Sequence, residues 1–227
     1  MLLAWGGPTR DVPVPVGPTE RQLATLDQAV ALVNAARPPA LKVPDVVIEG
    51  ATALDGADEA CATGQAALAR QARARARAAV PPVDRALSAL PQQLSAYRTA
   101  LAALTPAAEP LEADQQEALT AVRTAGEAEA TALEAFGAAA KELWPAYAAL
   151  DQAQSLWLDR RSGGWYRSQR EAADAYVVLR KPGLAALEQA RAALAKADAG
   201  RRPATEQVRS ALDAADAALD ALRAPVG

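Results

Sequence analysis

Hydrophobic residues recur along most of this chain at alternating intervals of three and four, the spacing that puts them on one face of an α-helix. Val83, Leu87, Leu90, Leu94, Tyr97, Leu101 and Leu104 form the cleanest such seam. A longer one runs through Leu119, Val122, Gly126, Glu129, Leu133, Phe136, Ala140, Leu143, Tyr147, Leu150, Gln154 and Trp157. Nearer the amino end, Leu23, Leu26, Val30 and Val33 share a face. Val47, Leu54, Cys61 and Leu68 follow at heptad spacing, with Gly50, Ala57 and Gly64 beside them. That glycine-containing repeat predicts a groove where another helix comes close, with a kink at the glycines as the competing reading. Tyr176, Leu187 and Leu194, then Val208, Leu212, Ala215, Leu219 and Leu222, mark two further seams. Only "VPDVVIE" has the β-branched character of a strand, and it is short and isolated.

Punctuation divides these seams into about six helices. Thr19 and Gln22 have capping-box spacing at the first start, and Pro38 with Pro39 stops that helix. Asp45 opens a second, expected to reach Ala79, and Pro81 with Pro82 makes the next turn. The third helix, with Pro91 inside it, ends in "LTPAAEPLEAD". The fourth is long, about 75 Å if unbroken, with Pro145 as its bend. Gly163-Gly164 reverses the chain into a fifth helix from Trp165 to Asp198, with Pro182 inside it. Gly200 and Pro203 then separate a sixth. Residues 1–18, rich in glycine and proline, read as an extended arm.

The expected fold is all-α: an elongated, antiparallel, coiled-coil-like helical bundle, the alternative being a compact bundle with the fourth helix folded back sharply at Pro145. The third helix matches the first half of the fourth, and the fifth matches the second half. Two three-helix bundles end to end would then share the fourth helix, over residues 19–128 and 129–227, with a hairpin tip at 158–166. Glu129 lies on the seam near that junction, where solvent would reach it.

Composition sharpens this picture. Hydrophobic residues make up 51% and aromatic ones only 4%, so alanine carries much of the apolar share and the helices must pack closely. A formal charge of -3 gives no global reason to bind nucleic acid. The absence of histidine removes Ser-His and Cys-His nucleophile pairs and histidine-ligated metal sites. An enzyme would have to work with carboxylate, lysine or tyrosine. The single Cys61 allows no internal disulfide and reads as a small core residue. Asp213, Asp216 and Asp220 read as a solvated face, and no cofactor or metal is expected. Arg70, Arg73 and Arg77 fall on one face near the carboxyl end of the expected second helix, where cations are favoured.

No apolar run approaches the about 20 residues of a membrane span. The amino terminus lacks the basic start of an export signal, which leans toward the cytoplasm. A start upstream of Met1 would instead make "LLAW" the tail of such a signal.

One stretch differs in chemistry from the rest. "LWLDRRSGGWYRSQR" sets Trp157, Arg160, Arg161, Trp165, Tyr166, Arg167 and Arg170 around the glycine turn. Trp157 ends a seam and should be core. Trp165 and Tyr166 are neighbours and cannot both face inward from a helix, so one should be exposed. Arginines stacked on tryptophan would make a stiff cap. The same residues, exposed, have the composition of an interaction hot spot. The expected function is a non-enzymatic scaffold or adaptor that binds a protein through the tip, a helical face or the arm. The alternative is a spacer at a membrane or envelope surface. Alanine-rich faces would also permit homo-oligomers.

Overall fold

A computed structural model describes residues 19–223 and makes them all helical apart from short connections. Helix α1 spans Glu20–Ala62, α2 Ala66–Ala108, α3 Ala113–Ser162 and α4 Gln169–Arg223. Cross-helix pairs fix their directions. Arg73 meets Asp151 and Arg98 meets Glu134, so α2 and α3 are antiparallel. Arg37 meets Glu129 and Tyr147 meets Asp55, so α1 runs parallel to α3. Arg37 also reaches Thr205, and Tyr176 reaches Asp58, which sets α4 antiparallel to α1. The result is an up-down-up-down bundle. Its most extensive pairings are α1 with α2 and α3 with α4, and α1 also touches α3.

Four helices form where about six were expected, and the reason is the placement of the prolines. Pro38, Pro39, Pro81, Pro82, Pro91, Pro106, Pro145, Pro182 and Pro203 all lie inside helices and are exposed, and of the interior prolines among the described residues Pro44 alone is buried. An interior proline frees one carbonyl and pushes the helix away from its ring. On the solvent face that carbonyl meets water, and the push bends the helix around the core, the direction in which long helices already curve. Gly200 is likewise interior to α4, in open space. The first two expected helices therefore merge into α1, and the fifth and sixth into α4. The expected second helix ends at Ala62 rather than Ala79, and α2 runs straight through Pro81 and Pro82.

The end-to-end pair of bundles does not form, because the four merged helices lie side by side. The expected boundary between residues 128 and 129 falls inside α3, in a core that runs from Leu26 to Leu219. The arm at 1–18 and the chain end beyond 223 lie outside the described residues.

Two of the three breaks fall where glycine takes a positive φ, and the third, between Ala108 and Ala113, carries Pro110. Gly64 has φ +75, and its N–H closes on the Cys61 carbonyl at 3.0 Å. A Cβ there would also lie 2.1 Å from the Gln169 carbonyl oxygen. Because the chain turns here, Leu68 leaves the Cys61 seam and is 42% exposed. Gly50 shows the close approach that its repeat predicts, since a Cβ on it would meet Val83 at 2.6 Å. The Thr19–Gln22 capping box forms as expected, with the Thr19 N–H donating to Gln22 Oε1 at 2.7 Å.

The core is crossed by buried charge. Glu129 is fully buried and accepts hydrogen bonds from Arg37 Nε at 2.7 Å, Arg37 Nη2 at 2.9 Å and the Tyr97 hydroxyl at 2.9 Å. It does not stand at a solvent entry. Asp58 accepts from the Tyr176 hydroxyl at 2.6 Å and from Arg180 at 2.5 Å. Asp55 takes the Tyr147 hydroxyl and Arg191 in the same way. Tyrosine, carboxylate and arginine thus recur three times along the bundle. A fourth link joins α2 to α3, where Arg73 grips Asp151 at 2.7 and 2.9 Å. The arginine run of α2 is therefore not a helix-terminus cluster. It lies toward the amino end of α2, with Arg70 donating to Ser162 at 2.5 Å and Arg77 to Asp151 at 3.3 Å.

Removing one member of the Glu129 group strands the others. Glu129→Ala should cost about 3–5 kcal/mol in urea unfolding, because it leaves Arg37 buried without its partner. Glu129→Leu combined with Arg37→Met and Tyr97→Phe should recover most of that loss.

Asp151 is held below its ordinary value of 3.8 by the hydrogen bonds from Arg73 and then Arg77. Burial pushes Asp198 up, yet its bonds from Arg201 and Arg202 outweigh burial and hold it low as well. A folded value below the unfolded one contributes stability that is fully present above the unfolded pKa. That stability is lost as pH falls through the folded value. The melting temperature should therefore hold from neutral pH down to about pH 5 and drop below about pH 4. Asp151→Asn with Asp198→Asn should lower it at neutral pH and flatten the acid drop.

Candidate functional site

The tip is built by two turns that meet. In α3 the last carbonyls are closed by Gly163 N–H on Asp159 at 2.9 Å and Trp165 N–H on Arg160 at 3.1 Å, with Gly164 at φ +71. Trp165 does not open a helix as expected. Residues 165–168 form the connection, and α4 begins at Gln169. Ser168 caps it by accepting the Glu171 N–H at 3.1 Å, while Glu171 accepts the Arg167 N–H at 2.7 Å. The α1–α2 turn is pinned alongside, because Gln169 Nε2 donates to the Thr63 carbonyl at 2.8 Å.

Within this frame the predicted residues separate. Trp157 is fully buried, donates from Nε1 to the Ala172 carbonyl at 2.7 Å and stands edge-on to Tyr176. It belongs to a small apolar cluster with Cys61, Leu158 and Ala172. Tyr166 is half-buried against that cluster. Trp165 is 71% exposed, with the Arg160 guanidinium 5.7 Å above its ring. Arg161 turns back to the Tyr166 carbonyl at 3.3 Å. Arg167 and Arg170 are exposed. Arg160, Arg161, Trp165 and Tyr166 are thus brought together, Trp157 is inside, and Arg167 and Arg170 flank the turn. Stacking and exposure coexist at one residue, since Arg160 covers one side of Trp165 and most of its ring still meets solvent.

Sequence reasoning missed the apolar residues below the tip. Leu68, Leu156 and Val178 are exposed on α2, α3 and α4 within a few turns of it. The signal was available for Leu156 and Val178, which sit off their seams. It also missed a cavity of about 280 Å³ between α1, α2 and α3, walled by Leu54, Val80 and Trp144.

The tip surface offers an exposed aromatic ring and cations, with exposed apolar residues on the helices below it. Cys61 is no nucleophile here: burial first, and then the negative charge of Asp58, push its thiol up to about 12. Among the described residues no group of acidic or thiol side chains is arranged to hold a metal ion. No family model, curated protein or solved structure matches the chain.

Cys61 gives a gauge of tip integrity. It should resist thiol reagents in the folded protein and react only when the apolar cluster opens. Trp157→Phe removes the bond to Ala172 and should speed labelling about tenfold or more, the factor that matches about 1.4 kcal/mol. Trp165→Ala, on the outside, should leave the labelling rate nearly unchanged.

Proposed function

We propose that this chain is a non-enzymatic helical adaptor whose rigid tip docks another protein. The observation that carries the reading is Trp165, 71% exposed at the end of a bundle about 75 Å long, with Arg160 stacked on its ring. A large aromatic left in water is unfavourable unless something covers it, and tryptophan with arginine is the pairing most enriched among residues that dominate binding energy. The support beneath it is pinned by Trp157, Gln169 and the two turns, so little conformational freedom is lost on docking. The partner surface should be acidic around an apolar slot that accepts the indole.

A second reading rests on the same composition. Tryptophan and arginine also suit an anionic lipid surface, and no helix among the described residues is long and apolar enough to cross a membrane. In that case the bundle would stand off the surface as a spacer.

One comparison separates these readings. Trp165→Ala, Arg167→Ala and Arg170→Ala change exposed side chains and should leave helicity and melting intact. Quantitative capture should find a partner held by wild type and weakened about 30-fold or more in the variant, with elution by salt. Salt-sensitive co-sedimentation with anionic vesicles, lost in the same variant, would favour the spacer. A partner held equally by both proteins would move the site to a helix face or the arm.

A further inference from the structure

The cavity between α1, α2 and α3 has a chemical character of its own. Leu54, Ala76, Val80 and Trp144 line it, and Arg77 and Asp151 stand among the lining residues as its charged members. Beside it α1 comes close to its neighbours at Gly50, where a Cβ would strike Val83 at 2.6 Å and touch Trp144 at 3.5 Å.

The polar groups around this cavity are not equivalent. The acceptors are already committed. Asp151 is gripped in bidentate fashion by Arg73, at 2.7 and 2.9 Å. The Tyr147 hydroxyl is tied to Asp55, and Gln154 is turned toward Tyr176. The donors are not. Arg77 has only a 3.3 Å contact to an oxygen that Arg73 already holds, and its side chain is 62% exposed. The Trp144 indole Nε1–H is buried and finds no partner among the described residues. Arg77 and Asp151 balance in charge on the cavity wall, but Arg73 already fills Asp151, so Arg77 keeps donors to spare. A buried unpaired donor is costly until an acceptor reaches it.

We propose that this cavity is a binding site for a small carboxylic acid with an apolar body. The body would lie against Trp144, Leu54 and Val80, and the carboxylate would pair with Arg77. An apolar hollow with a few convergent polar groups is the usual form of a small-molecule site. Here the groups with spare capacity are donors, Arg77 above all, which selects an anion over a neutral or cationic ligand of the same shape. This site is separate from the tip and does not depend on the adaptor reading.

The test labels the protein with 5-fluorotryptophan and follows fluorine NMR, with Trp144→Phe assigning the relevant resonance. Octanoate and benzoate supply the aliphatic and the flat form of the ligand class. Octan-1-ol and octylamine supply the neutral and cationic controls. At least one acid should shift the Trp144 resonance saturably and leave that of Trp157 in place. The alcohol and the amine should bind about tenfold more weakly or worse, a difference of about 1.4 kcal/mol. Arg77→Gln should weaken acid binding by a similar factor. Ala148→Leu, at an exposed position on the cavity wall, should abolish the shift while helicity and melting stay unchanged. The variant lacking Trp165, Arg167 and Arg170 should bind the acid normally. The proposal is overturned if neither acid moves Trp144, if octan-1-ol binds as tightly as octanoate, or if Arg77→Gln makes no difference.

Discussion

A carboxylate taken out of water must find partners at one place and no other, and this bundle depends on that constraint. Its helices face one another largely through alanine and evenly spaced aliphatic residues. Such a seam repeats every seven residues, so sliding one helix by a heptad sets apolar groups against apolar groups again. Glu129 forbids the slide. Its oxygens are filled by Arg37 from α1 and Tyr97 from α2, and only one register brings both to it. Asp55 and Asp58 do the same for α1 against α3 and α4. Buried ion pairs are weak sources of net stability, but a misplaced one is expensive. In this protein they fix register where the aliphatic contacts alone would leave it open.

The same layers divide the core. The long aliphatic cluster ends near Leu150 and Leu187, and the tip cluster around Trp157 and Cys61 lies beyond them. Asp58, Asp151 and their arginines occupy the level between, and the Asp55 group lies just inside the aliphatic cluster, at Tyr147. The tip is therefore packed as its own small unit, with an aromatic pair at its centre and a turn on either side. That explains how an exposed tryptophan can be presented stiffly at the end of a slender bundle.

Helix content, the seams, the Thr19 cap and the Gly163-Gly164 reversal were legible in the sequence, because each depends on local spacing. So were the burial of Trp157 and the exposure of one of Trp165 and Tyr166, though not which of the two. The helix count was not, and the prolines are the reason. A proline on the solvent face need not end a helix, and which face it occupies is decided by the neighbouring helices. The available clue was register. Val33, Ala40, Val43 and Val47 keep one face through Pro38 and Pro39, and Ala76 leads to Val83 across Pro81 and Pro82. Across Gly64 the register fails, since Cys61 is followed inward by Ala69 and Arg73. The partners of Glu129 were hidden for a different reason. A carboxylate on a seam announces that a partner is needed, but Arg37 lies 92 residues away, and nothing local names it.

The cavity and the ion layers share Asp151, and the way it is shared decides whether they interfere. Asp151 is held by two arginines of unequal grip: Arg73 binds it through two donors and also reaches its backbone carbonyl, while Arg77 makes one longer contact. A ligand that takes Arg77 leaves the α2–α3 link through Arg73 intact. A ligand large enough to displace Arg73 would instead strand Asp151 and loosen the joint between α2 and α3 just below the tip. The spare arginine thus lets this wall accept an anion without spending the contact that holds the bundle in register.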